Sequence, residues 1–172
     1  MPRKIALLTL AAGLLFAVTT PRPLPDVRIS MPDGKTANLK QYKGKVVMLV
    51  LMSTTCADCI AAIDMMNRIQ KDFGPRGMQA FAVAVGIDVD KKSTQGFIDR
   101  YRPAFPVGYV AETPFRELAD ISSTARPYVP IFIFIDKKGT IRFQYTAIDA
   151  IMEKSQRLSH CGSIVEGLLR QE

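Results

Sequence analysis

The chain has 172 residues, which is enough for one domain with a substantial hydrophobic core. Hydrophobic residues make up 48% of the chain and charged residues 23%, a balance that argues against disorder, and a single histidine argues against a multi-histidine metal centre. The net charge of +7 comes from scattered lysines and arginines, with no run longer than Lys91-Lys92 or Lys137-Lys138. We interpret these charges as a solvated surface and expect no specific nucleic-acid site.

Residues 1–20 predict a signal peptide or an N-terminal membrane anchor. The short basic region Arg3-Lys4 precedes the apolar stretch Ile5–Val18. That stretch has the length of a signal-peptide core and is shorter than the roughly 20 apolar residues of a membrane-spanning helix. Three prolines then mark residues 21–26 as a Pro-rich linker. We therefore expect an exported domain over residues 27–172, either free or tethered by the N-terminal segment.

The remaining pattern alternates between short apolar runs and amphipathic stretches. Strands are predicted at 27–30, 36–39, 45–52, 78–85, 106–110, 131–135 and 140–145. Helices are predicted at 57–73, from a cap at Ser93 or Thr94 to Pro103, from Thr113-Pro114 onward, and at 151–171. The apolar side of the last helix is predicted to consist of Ile151, Leu158, Cys161, Val165 and Leu168. This order predicts an α/β domain whose central mixed β-sheet is flanked by helices on both faces.

The residues that carry chemistry are Cys56 and Cys59, which lie between a buried strand and the start of a helix. Unpaired N–H groups and the positive end of the helix dipole favour a thiolate over a thiol on Cys56. Cys59 shares a helix face with Ile63 and Met66, so it should point inward. We therefore predict that Cys56 is the attacking sulfur and that Cys59 is the buried, resolving sulfur.

Two other interpretations of the pair remain open. A zinc site needs at least three protein ligands, and the further candidates, His160 and Cys161, are adjacent on the last helix and face different directions. A structural disulfide between Cys56 and Cys59 is credible in an exported protein. Such a disulfide would stabilise the folded domain only weakly, because the loop that it closes is short. We interpret Cys161 as a small core residue and His160 as exposed. Asp58, inside the motif, opposes a thiolate on Cys56 but suits the helix dipole.

The segments Gly44–Val47, Ser53–Cys59 and Tyr128–Pro130 together resemble the TlpA/ResA type of exported thioredoxin-like thiol-disulfide oxidoreductase, a family related to AhpC/TSA proteins. The resemblance implies a thioredoxin-like fold. It also implies that Pro130 is a cis-proline facing the cysteines and that Val129 offers backbone hydrogen bonds to a substrate strand. Both residues are therefore candidate substrate-binding residues.

The sequence departs from the family pattern at positions that bear on proton transfer. Thr55 stands where the family usually has tryptophan, and Val50 occupies a strand position where thioredoxin has a buried acid. Ala62 stands where some members that serve cytochrome maturation carry a glutamate. The sequence therefore shows no obvious internal proton acceptor for Cys59.

The resemblance implies an enzyme outside the cytoplasm that reduces disulfides in partner proteins, such as those of apocytochrome c maturation or copper-site assembly. It also implies a membrane-bound thiol electron donor, with no cofactor and no metal. One alternative is a peroxiredoxin-like peroxidase, since Ser53 matches a Thr/Ser position of that family, although Leu49 replaces its proline. Another is a copper metallochaperone, for which the lone His160 comes too late in the chain.

Overall fold

The structure, a computed structural model, describes residues 20–171 and is built around an eight-stranded mixed sheet. The strands are β1 (Arg22–Pro23), β2 (Ile29–Ser30), β3 (Thr36–Ala37), β4 (Val46–Met52), β5 (Met78–Ala84), β6 (Val107–Tyr109), β7 (Ile131–Ile135) and β8 (Thr140–Thr146). The helices are α1 (Ala57–Phe73), α2 (Lys91–Tyr101), α3 (Glu112–Ala119) and α4 (Lys154–Leu169). The strand order across the sheet is β1-β8-β7-β4-β5-β6-β2-β3.

Strand β4 lies in the middle of this sheet. It runs parallel to β5 and antiparallel to β7, so that Val47 lies opposite Gln79 on one side and Ile135 on the other. All seven of its side chains are buried, as the uninterrupted apolar run predicts for a strand covered on both faces. Its side chains point alternately to the two faces, with Met48 in one core cluster and Leu49 in the other.

Helices cover both faces of the sheet, as predicted. Helices α1, α2 and α4 contribute buried side chains to the cluster on one face, including Ile63, Phe97 and Val165. On the other face, Phe115 of α3 packs with Leu24 and other residues that precede β4. The α/β prediction of a mixed sheet between helical layers is therefore confirmed.

The beginning of the described chain differs from the predicted Pro-rich linker over 21–26. Arg22 and Pro23 form β1, which pairs antiparallel with β8. Leu24 is buried in the core, and its backbone N–H donates to the Gly139 carbonyl at 3.1 Å. Proline fits this strand because β1 lies at the edge of the sheet, where a missing N–H donor is tolerated. The linker segment is thus part of the folded domain in the structure.

The predicted signal peptide or anchor over residues 1–20 lies almost entirely outside the described residues. Across residues 20–171, no helix combines the length and the apolar character that crossing a membrane requires.

Two helix starts differ from the predicted caps. Helix α2 begins at Lys91 and is capped by Asp90, whose carboxylate accepts the Ser93 N–H at 2.7 Å while the Ser93 hydroxyl accepts the Asp90 N–H at 2.9 Å. Ser93 is thus the third residue of a capping box rather than the cap. Helix α3 begins at Glu112, and Thr113 lies inside its first turn.

The buried side of α4 also differs from the predicted one. Cys161, Val165 and Leu168 are buried as predicted, but Leu158 is exposed and Arg157 is buried in its place. The Arg157 Nε donates to the Met152 carbonyl at 2.9 Å, and its guanidinium lies 5.5 Å from the centre of the Phe132 ring. A hydrogen bond and a cation–π contact therefore make the burial of this cation tolerable. Ile151 precedes α4 and is exposed.

The close pairing of β2 with β6 gives a test of the fold. An added Cβ at Gly108 would meet the Ile29 side chain and lie 2.8 Å from the Ser30 carbonyl oxygen. Gly108→Ala should therefore lower the free energy of unfolding by roughly 1–3 kcal/mol, the usual range for overpacking. Urea unfolding of the reduced protein, followed by circular dichroism, measures this change.

The matched control is Gly96→Ala in α2, where an added Cβ has nothing within 4 Å. Alanine at that position should raise the free energy of unfolding by about 0.5–1 kcal/mol because it is the better helix former. Equal stability of the two variants would contradict the close approach of β2 to β6.

Candidate active site

Cys56 is the N-cap residue of α1. It follows β4 after the short loop Ser53–Thr55, and its sulfur accepts the backbone N–H of Cys59 at 3.3 Å. Its thiol also lies 3.8 Å from the Val129 carbonyl oxygen, to which it donates. The side chain is half-buried. Cys56 therefore combines partial access with a backbone N–H directed at its sulfur, as its position at the helix start predicts.

Cys59 lies one turn further along α1 and is fully buried. Burial is the main reason that the pKa of its thiol is raised well above the ordinary value. The hydrogen bond with Cys56 and the charge of Asp58 raise this pKa further, while the Ser53 backbone opposes the shift. The three cysteines of the chain are free thiols in this structure. Cys59 is thus held as a neutral thiol beneath the more accessible Cys56.

The loop before β7 brings the other two predicted site residues to the cysteines. The Val129–Pro130 peptide is cis, as the resemblance implies. The Pro130 carbonyl accepts the Ala147 N–H at 3.0 Å, and Val129 contacts Cys56 through its carbonyl. Pro130 is buried, whereas the neighbouring Tyr128 remains 55% exposed. All four predicted site residues therefore lie at one edge of the sheet.

An ion pair that the sequence does not reveal joins this site to α4. The Lys154 Nζ lies 2.6 Å from the Asp58 Oδ1, and both side chains are partly exposed. The hydrogen bond from Lys154 is the main reason that the pKa of Asp58 is lowered, and Arg157 acts in the same direction from further away. Lys154 therefore offsets the negative charge that Asp58 adds to the motif.

Two of the positions that depart from the family pattern, Val50 and Ala62, are apolar and buried in the structure. Val50 is fully buried opposite Phe132 of β7, and Ala62 is buried on α1. Thr55 is exposed beside Cys56. Asp58 is the carboxylate whose charge acts on the pKa of Cys59.

Cys161 and His160 lie behind the site on α4. Cys161 is fully buried, and burial raises the pKa of its thiol to about 12. This burial supports its interpretation as a core residue. His160 was predicted to be exposed, but it is half-buried with its ring edge-on to Tyr145 at 5.6 Å between centroids. No group of three or more His, Cys, Asp or Glu side chains within residues 20–171 is placed to hold a metal ion.

Comparisons with known proteins agree with this geometry. The chain is 26% identical over 148 residues to the thiol-disulfide oxidoreductase ResA of Geobacillus thermodenitrificans, an alignment that covers 86% of this chain and 79% of the relative. Among solved structures, a thioredoxin-family thiol:disulfide interchange protein of Chlorobium tepidum superposes with a TM-score of 0.70 at 20% identity, covering 89% of this chain and 99% of that one.

A secreted disulfide oxidoreductase of Mycobacterium tuberculosis is a further structural neighbour. It superposes with a TM-score of 0.63 at 16% identity, and the alignment covers 80% of this chain and 96% of the neighbour's chain. At these identities the solved structures establish the fold alone, which is thioredoxin-like as predicted.

Together with the ResA relatives, these structures confirm the prediction of a thioredoxin-like thiol-disulfide oxidoreductase. The family model for AhpC/TSA matches residues 21–144, and the chain belongs to the AhpC/TSA family.

Proposed function

We propose that this protein acts outside the cytoplasm and reduces disulfides in partner proteins, with Cys56 as the attacking sulfur and Cys59 as the resolving sulfur. The observation that carries this proposal is the contrast between the two thiols. Cys56 is half-buried at a helix N-terminus with a backbone N–H on its sulfur, whereas Cys59 is fully buried with a raised pKa. Only the first is accessible to a partner's disulfide.

The reaction transfers two electrons from the cysteine pair to the partner. The Cys56 thiolate attacks one sulfur of the partner's disulfide, which forms a mixed disulfide and releases the partner's other sulfur as a thiolate that takes up a proton. Cys59 then loses its proton and attacks the Cys56 sulfur. This second step breaks the mixed disulfide, releases the partner's second thiol and leaves a Cys56–Cys59 disulfide. Because the pKa of Cys59 is raised, deprotonation of Cys59 should limit this release near neutral pH.

The surface around Cys56 supports a polypeptide substrate. Tyr128 is 55% exposed on one side of the loop, and Ile148 is 68% exposed next to Ala147, which is hydrogen-bonded to Pro130. Exposed apolar side chains beside a reactive group are typical of protein-binding surfaces. We infer that a partner strand lies along this surface, with Val129 offering it backbone hydrogen bonds and Pro130 contacting it beside the cysteines.

The partner class and the location complete the proposal. Disulfides of apocytochrome c or of copper-site assembly proteins are the proposed substrates, and a membrane-bound thiol protein is the proposed electron donor. The basic and apolar character of residues 1–20 supports export, with that segment serving as a signal peptide or an anchor. The secreted relative from Mycobacterium tuberculosis is in keeping with this location.

A trapping experiment tests the division of labour between the two sulfurs. Cys59→Ser should still form the mixed disulfide but fail to release it, because a serine hydroxyl is not nucleophilic enough near neutral pH. Disulfide-linked partners should therefore accumulate on a non-reducing gel, and mass spectrometry should place the link at Cys56.

Two variants serve as controls for the trap. Cys56→Ser should capture few partners, and Cys161→Ala should leave trapping by Cys59→Ser unchanged because Cys161 is buried in the core. Trapping through Cys59 in the Cys56→Ser protein would reverse the assignment. Absence of adducts from both single variants would instead favour a structural disulfide.

Because Asp58 and Lys154 form an ion pair, substitutions that neutralise one or the other should have opposite effects on the rate of the resolving step. Asp58→Asn removes a charge that raises the pKa of Cys59, so release of a mixed disulfide should become about twofold to fivefold faster near neutral pH. Lys154→Gln leaves Asp58 uncompensated, so release should become slower. A chromogenic aromatic disulfide reports attack and release as two successive bursts of coloured thiol. Equal second-burst rates in both variants would exclude this electrostatic control.

Export can be tested with a C-terminal epitope tag. The tagged protein should be recovered in the exported or membrane fraction and be protected from reagents confined to the cytoplasm, because a basic region followed by an apolar stretch directs export. Replacing two apolar residues of Ile5–Val18 with arginine should retain the protein inside the cell. A cytoplasmic pool of full-length wild-type protein would contradict the proposed location.

A further inference from the structure

The end of the sheet opposite the cysteines, where β4 begins and β7 ends, carries a concentrated positive charge. Lys43 and Lys45 precede β4, and Lys137 and Lys138 follow β7. The two pairs are therefore far apart along the sequence. The antiparallel pairing of β4 with β7 brings the two pairs together, and the Gly44 N–H donates to the Lys137 carbonyl at 2.9 Å. The lysines interpreted as scattered therefore form a cluster, which we call the lysine edge and define as Lys40, Lys43, Lys45, Lys137 and Lys138.

Two carboxylates near the lysine edge are already engaged, and one of them neutralises Lys40. Asp136 is buried, and its Oδ1 accepts the N–H groups of Lys138 and Thr140, each at 2.9 Å, while its Oδ2 lies 3.5 Å from Arg142. Asp26 pairs with Lys40 at 3.3 Å.

Of the remaining cations of this edge, three are exposed, whereas the Lys137 Nζ donates to the backbone carbonyls of Leu169 and Gln171, each at 2.8 Å. Lys43, Lys45 and Lys138 are exposed, and none of them makes an ion pair with a side chain of residues 20–171. The edge therefore keeps a positive charge that the domain itself does not neutralise.

A shallow apolar groove lies among these lysines. Its volume is about 330 Å³, and Lys40, Lys43, Lys45 and Lys138 are among its lining residues. The apolar part of its wall includes Leu24, Leu39, Tyr42, Val47 and Ile135. Cations around an apolar surface match the boundary between anionic headgroups and acyl chains, where lysine stems lie along apolar matter and their ammonium groups contact phosphate.

The N-terminal chain passes the groove and then leaves it. Leu24 lines the groove, and Thr20 is only four residues earlier, within about 14 Å of extended chain. Because β1 is antiparallel to β8, with Pro23 opposite Thr140 and Arg22 opposite Ile141, the chain before Leu24 leads away from the lysine edge along β8. The choice of a phospholipid surface therefore depends on the exposed lysines and on the apolar groove that they surround.

We propose that the lysine edge docks this domain on an anionic phospholipid membrane. The phosphodiester groups of the lipid pair with the exposed ammonium groups, and the apolar groove lies against the interface. Cys56 follows β4 and the lysine edge precedes it, so docking leaves the cysteine pair on the side facing away from the bilayer. The proposal concerns the surface alone and does not depend on the redox function.

Lysine footprinting of the full chain tests this docking whether or not the apolar segment inserts. The protein is acetylated with an amine-reactive reagent in the presence of vesicles of phosphatidylcholine, with or without phosphatidylglycerol. Anionic vesicles should slow acetylation of Lys43, Lys45 and Lys138 about threefold or more relative to phosphatidylcholine vesicles, whereas Lys91 and Lys92, exposed at the start of α2 beyond the opposite end of β5, should change little. Any insertion of the apolar segment is common to both vesicles, so the difference reports the headgroup charge.

A pair of charge-matched variants provides the second measurement. Lys43→Gln/Lys45→Gln should lower the phosphatidylglycerol-dependent part of vesicle co-sedimentation about 10-fold or more at low ionic strength, while Lys91→Gln/Lys92→Gln should retain it. Equal loss in both variants, or equal protection of all five lysines, would reduce the effect to general positive charge and overturn the proposal. Protection of the edge by inorganic phosphate to the same extent would also overturn it, since the site would then be one for small anions.

Discussion

The burial of β4 on both faces is the constraint on which the rest of this structure depends. Its seven side chains are buried, and both of its edges are hydrogen-bonded, to β5 and to β7. Such a strand cannot shift by one residue without moving its side chains to the wrong face of the sheet. Because Leu51 is fixed opposite Ile131, the end of β4 and the start of β7 lie at the same edge. The meeting of Cys56 with Val129 is thus a consequence of strand register.

The elements that could be predicted from the sequence are those whose signals are local. The apolar runs and the spacing of buried residues predict α1 at Ala57–Phe73 and β7 at Ile131–Ile135 with the bounds that the structure has. Strand β1 could not be predicted, because its pairing with β8 joins distant parts of the chain and because it contains Pro23 and follows Pro21. The start of α2 was misplaced because Asp90 and Ser93 cap each other reciprocally, and either side chain is a credible cap by type.

In the candidate site as well, some residues could be predicted from the sequence and others could not. Adjacency in sequence predicts the positions of Cys56 and Cys59, and the family resemblance supplies Val129 and Pro130. The ion pair of Asp58 with Lys154 has no such signal, because it depends on how α4 is rotated against α1. That rotation follows the burial of a cation, Arg157, where the hydrophobic pattern favours Leu158. Amphipathic periodicity fails here because a hydrogen bond and an aromatic ring satisfy the guanidinium.

The pairing of β4 with β7 also determines how charge is distributed relative to the cysteines. It gathers the lysine edge at one end of the strands and leaves Cys56 at the other, about 20 Å away by the rise of a seven-residue strand. The Debye length at physiological ionic strength is about 8 Å, so the lysine edge is screened from the cysteine pair. Asp58, which is paired with Lys154, is then the carboxylate whose charge raises the pKa of Cys59. Membrane docking and thiol chemistry can therefore be altered separately, because substitutions of Lys43 or Lys45 act beyond the electrostatic range of the sulfurs.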